Sequence, residues 1–393
     1  MIPRKLFRAL QPAYHFVLAF CAAVWYGFPS REIRVVFVTG TKGKSTVVEL
    51  TAAILEEAGF KSASLSTIRF KVGNREQRNL YKMTTPGRFF VQRFLRDAVR
   101  AECAYAVLEM TSEAARHYRH AFIDFDALIF TNLSPEHIES HGSYEKYRNA
   151  KLSLVRALER SRKRPRVVVA NADDKEGLRF LDARVEERIP YRMGADSTPF
   201  ESKLVGIFNQ ANILAAVAFA KSQGILEETA CRAVAKISVI PGRVEHIECG
   251  QNFTVVVDYA HTPDSLEKLY QAFPGKRKIA VLGNTGGGRD VWKRPEMGRI
   301  ADTYCEKVFL TNEDPYDEDP RAIVEAMARG MKNRAPEIIM NRRDAIRAAL
   351  RAARAGDAVL ITGKGTDPFI CGANGTKEPW DDRVVVREEL HAI

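Results

Sequence analysis

The sequence predicts an α/β fold, and three observations support that prediction. Short apolar runs typical of buried strands alternate with helical patterns along almost the whole chain. A stretch rich in glycine and lysine, residues 39–46, joins the first of these strands to a helix. A turn cluster at residues 273–276 then precedes a fresh series of strands. We therefore expect a central P-loop domain with a mostly parallel sheet, followed by a C-terminal Rossmann-like α/β domain.

Length and composition set the number of domains and the class of ligand. A chain of 393 residues is too long for one ordinary core, and the predicted division is 1–30, 31–273 and 274–393. The apolar and charged fractions, 46% and 28%, are those of a globular protein. The net charge of +11 favours polyanionic ligands, among which nucleotides, phosphorylated sugars, nucleic acid and anionic lipids all fit. Six scattered cysteines without a C-x-x-C pair favour a reducing compartment.

The N-terminal segment combines basic and apolar residues. Arg4, Lys5 and Arg8 precede an apolar run at 16–26, which is shorter than the ~20 residues of a membrane-spanning helix. The pattern is also that of a signal peptide, but a nucleotide-binding strand begins at Ile33 and ATP is cytosolic. We predict a cytoplasmic protein whose residues 1–30 form an amphipathic helix that packs on the body or contacts the inner membrane face.

The remaining elements follow in order. A strand at 33–38 leads into a helix at 47–58, which Gly59 ends. The apolar runs after it predict strands of one sheet at 105–109, 127–131 and 167–171, then a helix at 213–221 and a strand at 253–258. Beyond the turn cluster, strands are predicted at 278–282, 307–310 and 358–362.

The glycine- and lysine-rich stretch predicts a phosphate-binding loop. Its glycines let successive N–H groups point at phosphate oxygens, Lys44 reaches the β- and γ-phosphates, and the Ser45 hydroxyl can bind Mg²⁺. Val38 stands where the usual G-x-x-x-x-G-K-S/T pattern has its first glycine, so the match is to the shorter G-T-x-G-K-S/T form. The predicted ATP-binding residues here are Gly40, Thr41, Lys42, Gly43, Lys44, Ser45 and Thr46.

Two polar side chains lie where predicted strands end. Glu109 ends one strand, and His137 follows the strand that ends near Thr131. Because the carboxyl ends of parallel strands meet at the ligand crevice, Glu109 and His137 are predicted Mg²⁺ ligands together with Ser45.

Several stretches resemble the Mur ligase family. The loop G-T-x-G-K-S and the stretch FTNLSPEHIESHGSYEKYRNAKLSL are similar to segments that bind ATP and magnesium in that family. The resemblance implies that His137 binds a second Mg²⁺ ion and that Lys151 is carbamylated by CO₂ and becomes an anion beside the metal. It also implies that Lys44, Glu109, His137 and Lys151 are the catalytic residues.

The resemblance extends from Ile33 onward and points to the MurE type, through PGRVEHI followed by DYAHTPDSL. It implies an adenine-side segment carrying Asn209 and Asn212, Arg243 near the phosphates and Asp258 on the ribose. The basic stretch GGGRDVWKRPEMG is also similar to a family segment, and it adds Arg289 as a candidate contact. The residues that the resemblance places on the two substrates are Thr84, Thr85, Ser112, Arg119, His261, Lys293 and Arg294.

Two departures from the MurE pattern stand out. Only the short N-terminal helix occupies the place of the domain that grips the uridine nucleotide, which makes a shortened or lipid-linked precursor conceivable. In the amino-acid pocket, D-N-P-R is replaced by Glu313-Asp314-Pro315-Tyr316, and G-K-G-H-E by residues 363–367. Tyr316 lacks the bidentate fork of arginine, and the acidic run 317–319 would suit a cationic amino acid such as lysine. The predicted pocket residues are Asp314, Tyr316, Lys364 and Asp367.

The resemblance implies an ATP- and Mg²⁺-dependent ligase that joins an amino acid to a muramyl-peptide precursor through an acyl phosphate. We expect a monomer that does not bind nucleic acid. Three alternatives remain: a MurT-like amidating enzyme on a lipid-linked precursor, a folylpolyglutamate-synthetase-like ligase, and a basic P-loop module that binds nucleic acid.

Overall fold

The structure is a computed structural model that describes residues 4–136, 138–194 and 200–393, with the backbone alone at 4–10 and 138. The chain forms two compact units. Among the described residues, the first contains 4–135, 141–194, 200–202 and 208–237, and the second contains 136, 138–140, 203–207 and 238–393. Both are α/β units built on a largely parallel sheet, which confirms the predicted fold class.

The first unit contains one large sheet. Its strands are β1 (Arg34–Thr39), β2 (Ser62–Leu65), β3 (Arg69–Val72), β4 (Arg75–Arg78), β5 (Tyr105–Glu109), β6 (Ala127–Phe130), β7 (Val167–Asn171) and β8 (Glu187–Tyr191). In the part of the chain described, they pair in the order β4-β3-β2-β5-β1-β6-β7-β8. The strands β2-β5-β1-β6-β7-β8 pair in parallel, whereas β3 and β4 form an antiparallel edge next to β2.

Helices cover this sheet and position its carboxyl edge. The helices up to residue 236 are α1 (Arg4–Trp25), α2 (Lys44–Glu57), α3 (Arg88–Arg100), α4 (Ser112–Arg116), α5 (Ile138–His141), α6 (Tyr144–Glu159), α7 (Gly177–Leu181), α8 (Ile207–Ser222) and α9 (Glu227–Lys236), with a 3₁₀ turn at Pro29–Arg31. Apart from residues 138–140 and 207, they belong to the first unit. The central strands β1, β5 and β6 are buried almost throughout. A parallel strand covered on both faces needs such a continuous apolar run, and its carboxyl end is free to carry polar groups.

The second unit has its own sheet. Its strands are β9 (Glu245–His246), β10 (Thr254–Asp258), β11 (Lys278–Leu282), β12 (Lys307–Leu310), β13 (Glu337–Ile338) and β14 (Ala358–Thr362), in the order β13-β12-β11-β14-β10-β9, and a separate hairpin of β15 (Phe369–Cys371) and β16 (Lys377–Pro379). The helices are α10 (Pro263–Gln271), α11 (Lys293–Tyr304), α12 (Pro320–Ala328), α13 (Arg342–Arg351) and α14 (Asp382–His391), with a 3₁₀ turn at Ala373–Gly375.

The turn cluster at residues 273–276 predicts a domain boundary between residues 273 and 274. In the structure, the long C-terminal segment of the second unit instead begins at residue 238. Strand β10, which the predicted bounds place in the central domain, pairs in parallel with β14 and so belongs to the second sheet. Residues 273–276 form only the turn between α10 and β11. A Pro-Gly turn ends an element whether or not a domain ends there, so this signal marks a turn and not the boundary.

Helix α1 packs on the first unit. Ala19, Ala22 and Ala23 are buried, and the ring of Phe16 lies 4.9 Å from that of Phe122. Arg96 on α3 donates to the carbonyl of Tyr26, just after the helix ends. Packing on the body, one of the two predicted arrangements, is what the structure shows. No helix in the described ranges combines the length and hydropathy of a bilayer-spanning segment.

Candidate active site

The phosphate loop curls between β1 and α2 as predicted. Gly40 and Gly43 have φ of 150° and 81°, in the region that favours glycine. Thr41 N donates to the carbonyl of Asn132, and Lys42 N donates to Oδ1 of the same residue at 2.9 Å. Lys44 is the first residue of α2, so the loop ends at a helix N-terminus, which favours anions.

Replacing Gly40 with Ala should weaken ATP binding by at least about tenfold, because a Cβ there would overlap Oγ1 of Thr131 and the loop would have to shift. Gly59→Ala is the matched control, since Gly59 also has positive φ but open space around its Cα. Isothermal titration calorimetry with ATP measures the dissociation constant of wild type and of both variants. Wild-type affinity in a folded Gly40→Ala protein would show that the loop does not cradle phosphate.

Ser45 and Glu109 meet at the carboxyl edge of the sheet. The Ser45 hydroxyl donates to Oε2 of Glu109 at 2.7 Å, and both side chains are buried. Nζ of Lys44 lies 3.9 Å from Oε1 of Glu109 and donates to the Thr41 carbonyl at 2.8 Å. Thr67 holds the carboxylate from the other side, since its N–H and hydroxyl both donate to Oε2. Loop, lysine and carboxylate therefore converge on one point.

This donor set fits a magnesium ion. A hydroxyl and a carboxylate are hard oxygen ligands, and Mg²⁺ is usually held by one or two protein groups together with waters and substrate phosphates. Within the described ranges, no group of three or more His, Cys, Asp or Glu side chains is arranged to hold a metal ion. His137, the other predicted metal ligand, lies outside the described residues.

Lys151 is buried beneath the same loop. It lies on α6, its Nζ donates to the carbonyl of Gly40 at 2.6 Å, and it stands 4.8 Å from the ring centre of Tyr147, one helical turn earlier. The Tyr147 hydroxyl in turn hydrogen-bonds Oγ1 of Thr41 at 3.0 Å. Thus α6 presents both residues to the phosphate loop.

The predicted acceptor residues border this site. Thr84 shares a hydrogen bond of 2.7 Å with Thr67, and the Thr85 hydroxyl donates to the carbonyl of Glu109. Arg119 donates to the carbonyl of Thr85. Ser112 begins α4, and its hydroxyl hydrogen-bonds Nε2 of His141 at 3.1 Å. Hydrogen bonds thus connect both threonines to Glu109: Thr85 directly, and Thr84 through Thr67.

Asn209 and Asn212 are paired on α8. The side chain of Asn212 donates to Oδ1 of Asn209 at 3.1 Å, and both are buried. A Cβ at Gly43 would overlap Oδ1 of Asn212, so this amide packs directly against the phosphate loop. The two residues therefore lie beside the loop.

Within the second unit, Arg243, Asp258 and His261 cluster at the end of β10. The Arg243 guanidinium lies 4.3 Å from the ring centre of Tyr259. The carboxylate of Asp258 accepts from the N–H groups of Val244 and Ala260. Burial raises the pKa of Asp258, and the positive charge of Arg243 opposes that rise. Nε2 of His261 lies 3.1 Å from Oε1 of Glu136.

The predicted amino-acid pocket is tied together by buried ion pairs. Nζ of Lys364 lies 3.0 and 2.9 Å from the two carboxylate oxygens of Asp314, and it lies 3.6 Å from Asp367. Tyr316 has a φ of 51°, and Arg289 lies over its ring at 5.3 Å. Ion pairs of Lys364 with Asp314 and Asp367 therefore fix these three pocket residues relative to one another.

The basic stretch and the acidic run are linked. Lys293 and Arg294 are buried at the start of α11, and Arg294 donates to both carboxylate oxygens of Glu318. Asp319 caps α12 by accepting from Arg321 N. The carboxylates of the acidic run thus contact groups of the chain itself, and recognition of a cationic amino acid by this run stays a prediction.

Thr67, Asn132 and Tyr147 contribute to the site although the sequence analysis did not single them out. Thr67 follows β2 and Asn132 follows β6, so their positions just beyond strand ends were a usable signal. Tyr147 precedes Lys151 by four residues, the spacing that places two side chains on one helical face.

Comparisons with known proteins agree on one family. The Mur ligase middle domain matches residues 38–194, and the Mur ligase glutamate ligase domain matches residues 242–365. The chain is 37% identical to the UDP-N-acetylmuramoyl-L-alanyl-D-glutamate–2,6-diaminopimelate ligase of Syntrophomonas wolfei, over 95% of this chain and 81% of that protein. It is 38% identical to the UDP-N-acetylmuramyl-tripeptide synthetase of Roseiflexus sp., over 96% and 82%.

Solved structures show the same similarity. A UDP-N-acetylmuramoyl-L-alanyl-D-glutamate–2,6-diaminopimelate ligase aligns with a TM-score of 0.60 at 28% identity, over 92% of this chain and 78% of that one. The folylpolyglutamate synthase of Mycobacterium tuberculosis, complexed with ADP, aligns with a TM-score of 0.70 at 16% identity, over 89% and 92%. At that identity, the second likeness shows the fold alone.

Proposed function

Because the chain belongs to the Mur ligase family and is a MurE-like ATP-dependent ligase, we propose that it joins an amino acid to a muramyl-peptide carboxylate through an acyl phosphate. The observation that carries the proposal is the convergence of Lys44, Ser45 and Glu109 at the end of a phosphate loop. A carboxylate is a poor electrophile, so its reaction with an amine requires activation by phosphoryl transfer.

In the proposed first step, the acceptor carboxylate attacks the γ-phosphorus of ATP, and the bond to the bridging oxygen of ADP breaks. Lys44 and the loop N–H groups stabilise the charge that develops on the transferred phosphoryl group. Mg²⁺, when bound by Ser45 and Glu109, supplies further neutralisation of phosphate charge. Asn209 and Asn212 would line the adenine side, and Arg243 and Asp258 would contact the phosphates and ribose.

In the second step, the amino group of the incoming amino acid attacks the acyl phosphate, and inorganic phosphate leaves as the amide forms. We assign Thr84, Thr85 and Arg119 to the muramyl-peptide because of their contacts around Glu109. We assign Ser112, at the start of α4, to the same substrate. We assign the other substrate-side residues to the amino acid and the reacting groups: His261, Lys293, Arg294, Asp314, Tyr316, Lys364 and Asp367.

Because the reaction consumes ATP, we place the enzyme in the cytoplasm. We further propose that the enzyme is a monomer and that Lys151 is carbamylated beside the phosphate loop. We also propose that residues 1–30 contact the inner face of the membrane. In support, α1 exposes apolar side chains while it packs on the body.

A phosphate-release assay tests the ligase reaction. UDP-N-acetylmuramoyl-L-alanyl-D-glutamate and its polyprenyl-linked equivalent are each crossed with a panel of amino acids, including lysine and 2,6-diaminopimelate. We expect phosphate release to require both an acceptor and one amino acid, with amide product in equal amount by mass spectrometry. Phosphate release that ignores the acceptor, or that yields no amide, would refute the proposal.

A further inference from the structure

From Gln11 to Trp25, the exposed side of helix α1 is apolar. Between Gln11 and Trp25, every exposed side chain is apolar or aromatic, and this stretch contains no acidic or basic residue other than His15. Trp25 and Tyr14 are 79% and 60% exposed. The exposed set is Pro12, Ala13, Tyr14, Phe16, Val17, Phe20, Cys21, Val24 and Trp25. A soluble surface rarely leaves so long an apolar stripe uncovered unless it binds something.

The same surface continues beyond the helix. The ring of Tyr26 contacts that of exposed Phe89 on α3 at 6.5 Å. The turn at residues 80–83 exposes Leu80, Tyr81 and Met83, and the ring of Tyr81 contacts that of Phe90. We call the exposed side chains of α1 from Pro12 to Trp25, Phe89 and residues 80–83 together the apolar surface.

Basic residues border the apolar surface. Arg4, Lys5 and Arg8 begin α1, and Arg93 is exposed one turn after Phe89 on α3. Lys82 lies inside the turn at 80–83. A stripe of aromatic and aliphatic side chains with cationic neighbours is the pattern of a segment that lies in the interface of an anionic bilayer.

Contacts connect the apolar surface to the acceptor side of the candidate active site. Phe16 on α1 packs edge-on against Tyr118 at 5.8 Å. The next residue, Arg119, donates to the carbonyl of Thr85 and lies 4.0 Å from Sδ of Met83. Thr84, between them, hydrogen-bonds the Thr67 that holds Glu109. A few side chains therefore separate the surface from the predicted acceptor residues.

We infer that the apolar surface docks on an anionic lipid bilayer and that the acceptor is a muramyl-peptide linked to a lipid in that bilayer. This inference rests on the proposed function, of which it names the acceptor class. Docking would hold the Thr84 and Thr85 end of the site at the headgroup layer, where the peptide of a lipid-linked acceptor lies.

Charge favours the bilayer over a second copy of the chain as the occupant. Two copies of this surface would bring their basic borders together, and like charges in contact oppose association. An anionic headgroup layer instead attracts exposed Arg93 and the basic residues that begin α1, while its outer acyl region accepts Trp25 and its neighbours.

Vesicle binding tests the docking. Full-length protein is sedimented with phosphatidylglycerol–phosphatidylcholine vesicles and with phosphatidylcholine vesicles alone. Val17→Glu/Trp25→Glu should lower binding to the anionic vesicles by at least about tenfold. Leu178→Glu/Leu226→Glu is the matched control, because it adds the same charge at side chains 51% and 71% exposed elsewhere in the unit. Equal loss in both variants, no binding by wild type, or a dimer that only Val17→Glu/Trp25→Glu dissolves would overturn the docking.

Acceptor use tests the second half of the inference. In anionic vesicles, we expect wild type to use the polyprenyl-linked acceptor with a kcat/KM at least about tenfold above that for the UDP-linked one. Val17→Glu/Trp25→Glu should lose this preference and keep its turnover of the UDP-linked acceptor. If that variant uses the lipid-linked acceptor as well as wild type does, the inference is refuted and the proposed function is unaffected. Failure of wild type with both acceptors would instead refute the proposed function, and vesicle binding would still report on the docking.

Discussion

Replacing Lys44 with Ala should lower kcat by about 100- to 1,000-fold, the loss expected when one preorganised group that stabilises transition-state charge is removed. Its ammonium group is held by the Thr41 carbonyl and lies 3.9 Å from Glu109, so it is fixed before ATP arrives. Coupled measurement of ADP release with saturating acceptor and amino acid gives kcat directly. The KM for ATP should rise less than kcat falls, because the charge on the phosphoryl group grows as the bond breaks.

Lys61→Ala is the control for this variant. Lys61 is exposed just before β2, where it takes no part in the phosphate loop. Both variants should unfold at the same temperature as wild type, since Lys44 is at the first turn of α2 and its loss leaves no cavity in the core. Robust amide formation by Lys44→Ala would remove the phosphate-loop assignment.

Buried strands were the most predictable part of the fold. The predicted strands at 105–109, 167–171, 278–282, 307–310 and 358–362 coincide with β5, β7, β11, β12 and β14. Parallel strands covered on both faces must be apolar throughout, so the run itself marks the strand. Edge strands lack that run. Only Phe70 of β3 is buried and nothing of β4, and β8 alternates between exposed and half-buried positions before buried Tyr191.

Long-range pairing was the part that local pattern could not reveal. Strand β10 looks like any other buried strand, and its membership of the second sheet is decided by hydrogen bonds to β14, about a hundred residues further along the chain. The same limit applies to the candidate site. The phosphate loop has a local motif, whereas Thr67 acts through a partner on another strand, Glu109.

Lys151→Ala should lower turnover by about 100-fold or more, provided that the lysine works as its carbamate. Carbamylation forms a bond between Nζ and the carbon of CO₂. Starting from the ammonium group it releases two protons, one to free the amine and one as the N–C bond forms, so the side chain changes from a cation to an anion. That anion would lie under the phosphate loop, where the structure places Nζ against the Gly40 carbonyl and the Tyr147 ring. A burial of this kind protects a carbamate from water, which would otherwise return it to amine and CO₂.

Chemical rescue separates the carbamate from a structural cation. Lys151→Ala leaves a space that acetate can fill, so millimolar acetate should restore part of the lost activity, and wild type prepared without CO₂ should regain activity when bicarbonate is added. Lys151→Arg keeps a cation beside Gly40 and should stay inactive with either additive. If Lys151→Arg is instead active, and wild type is indifferent to bicarbonate, then the residue serves as a positive brace for the loop. In that case, of Ser45, Glu109 and Lys151, Glu109 is the residue that supplies negative charge beside the phosphates.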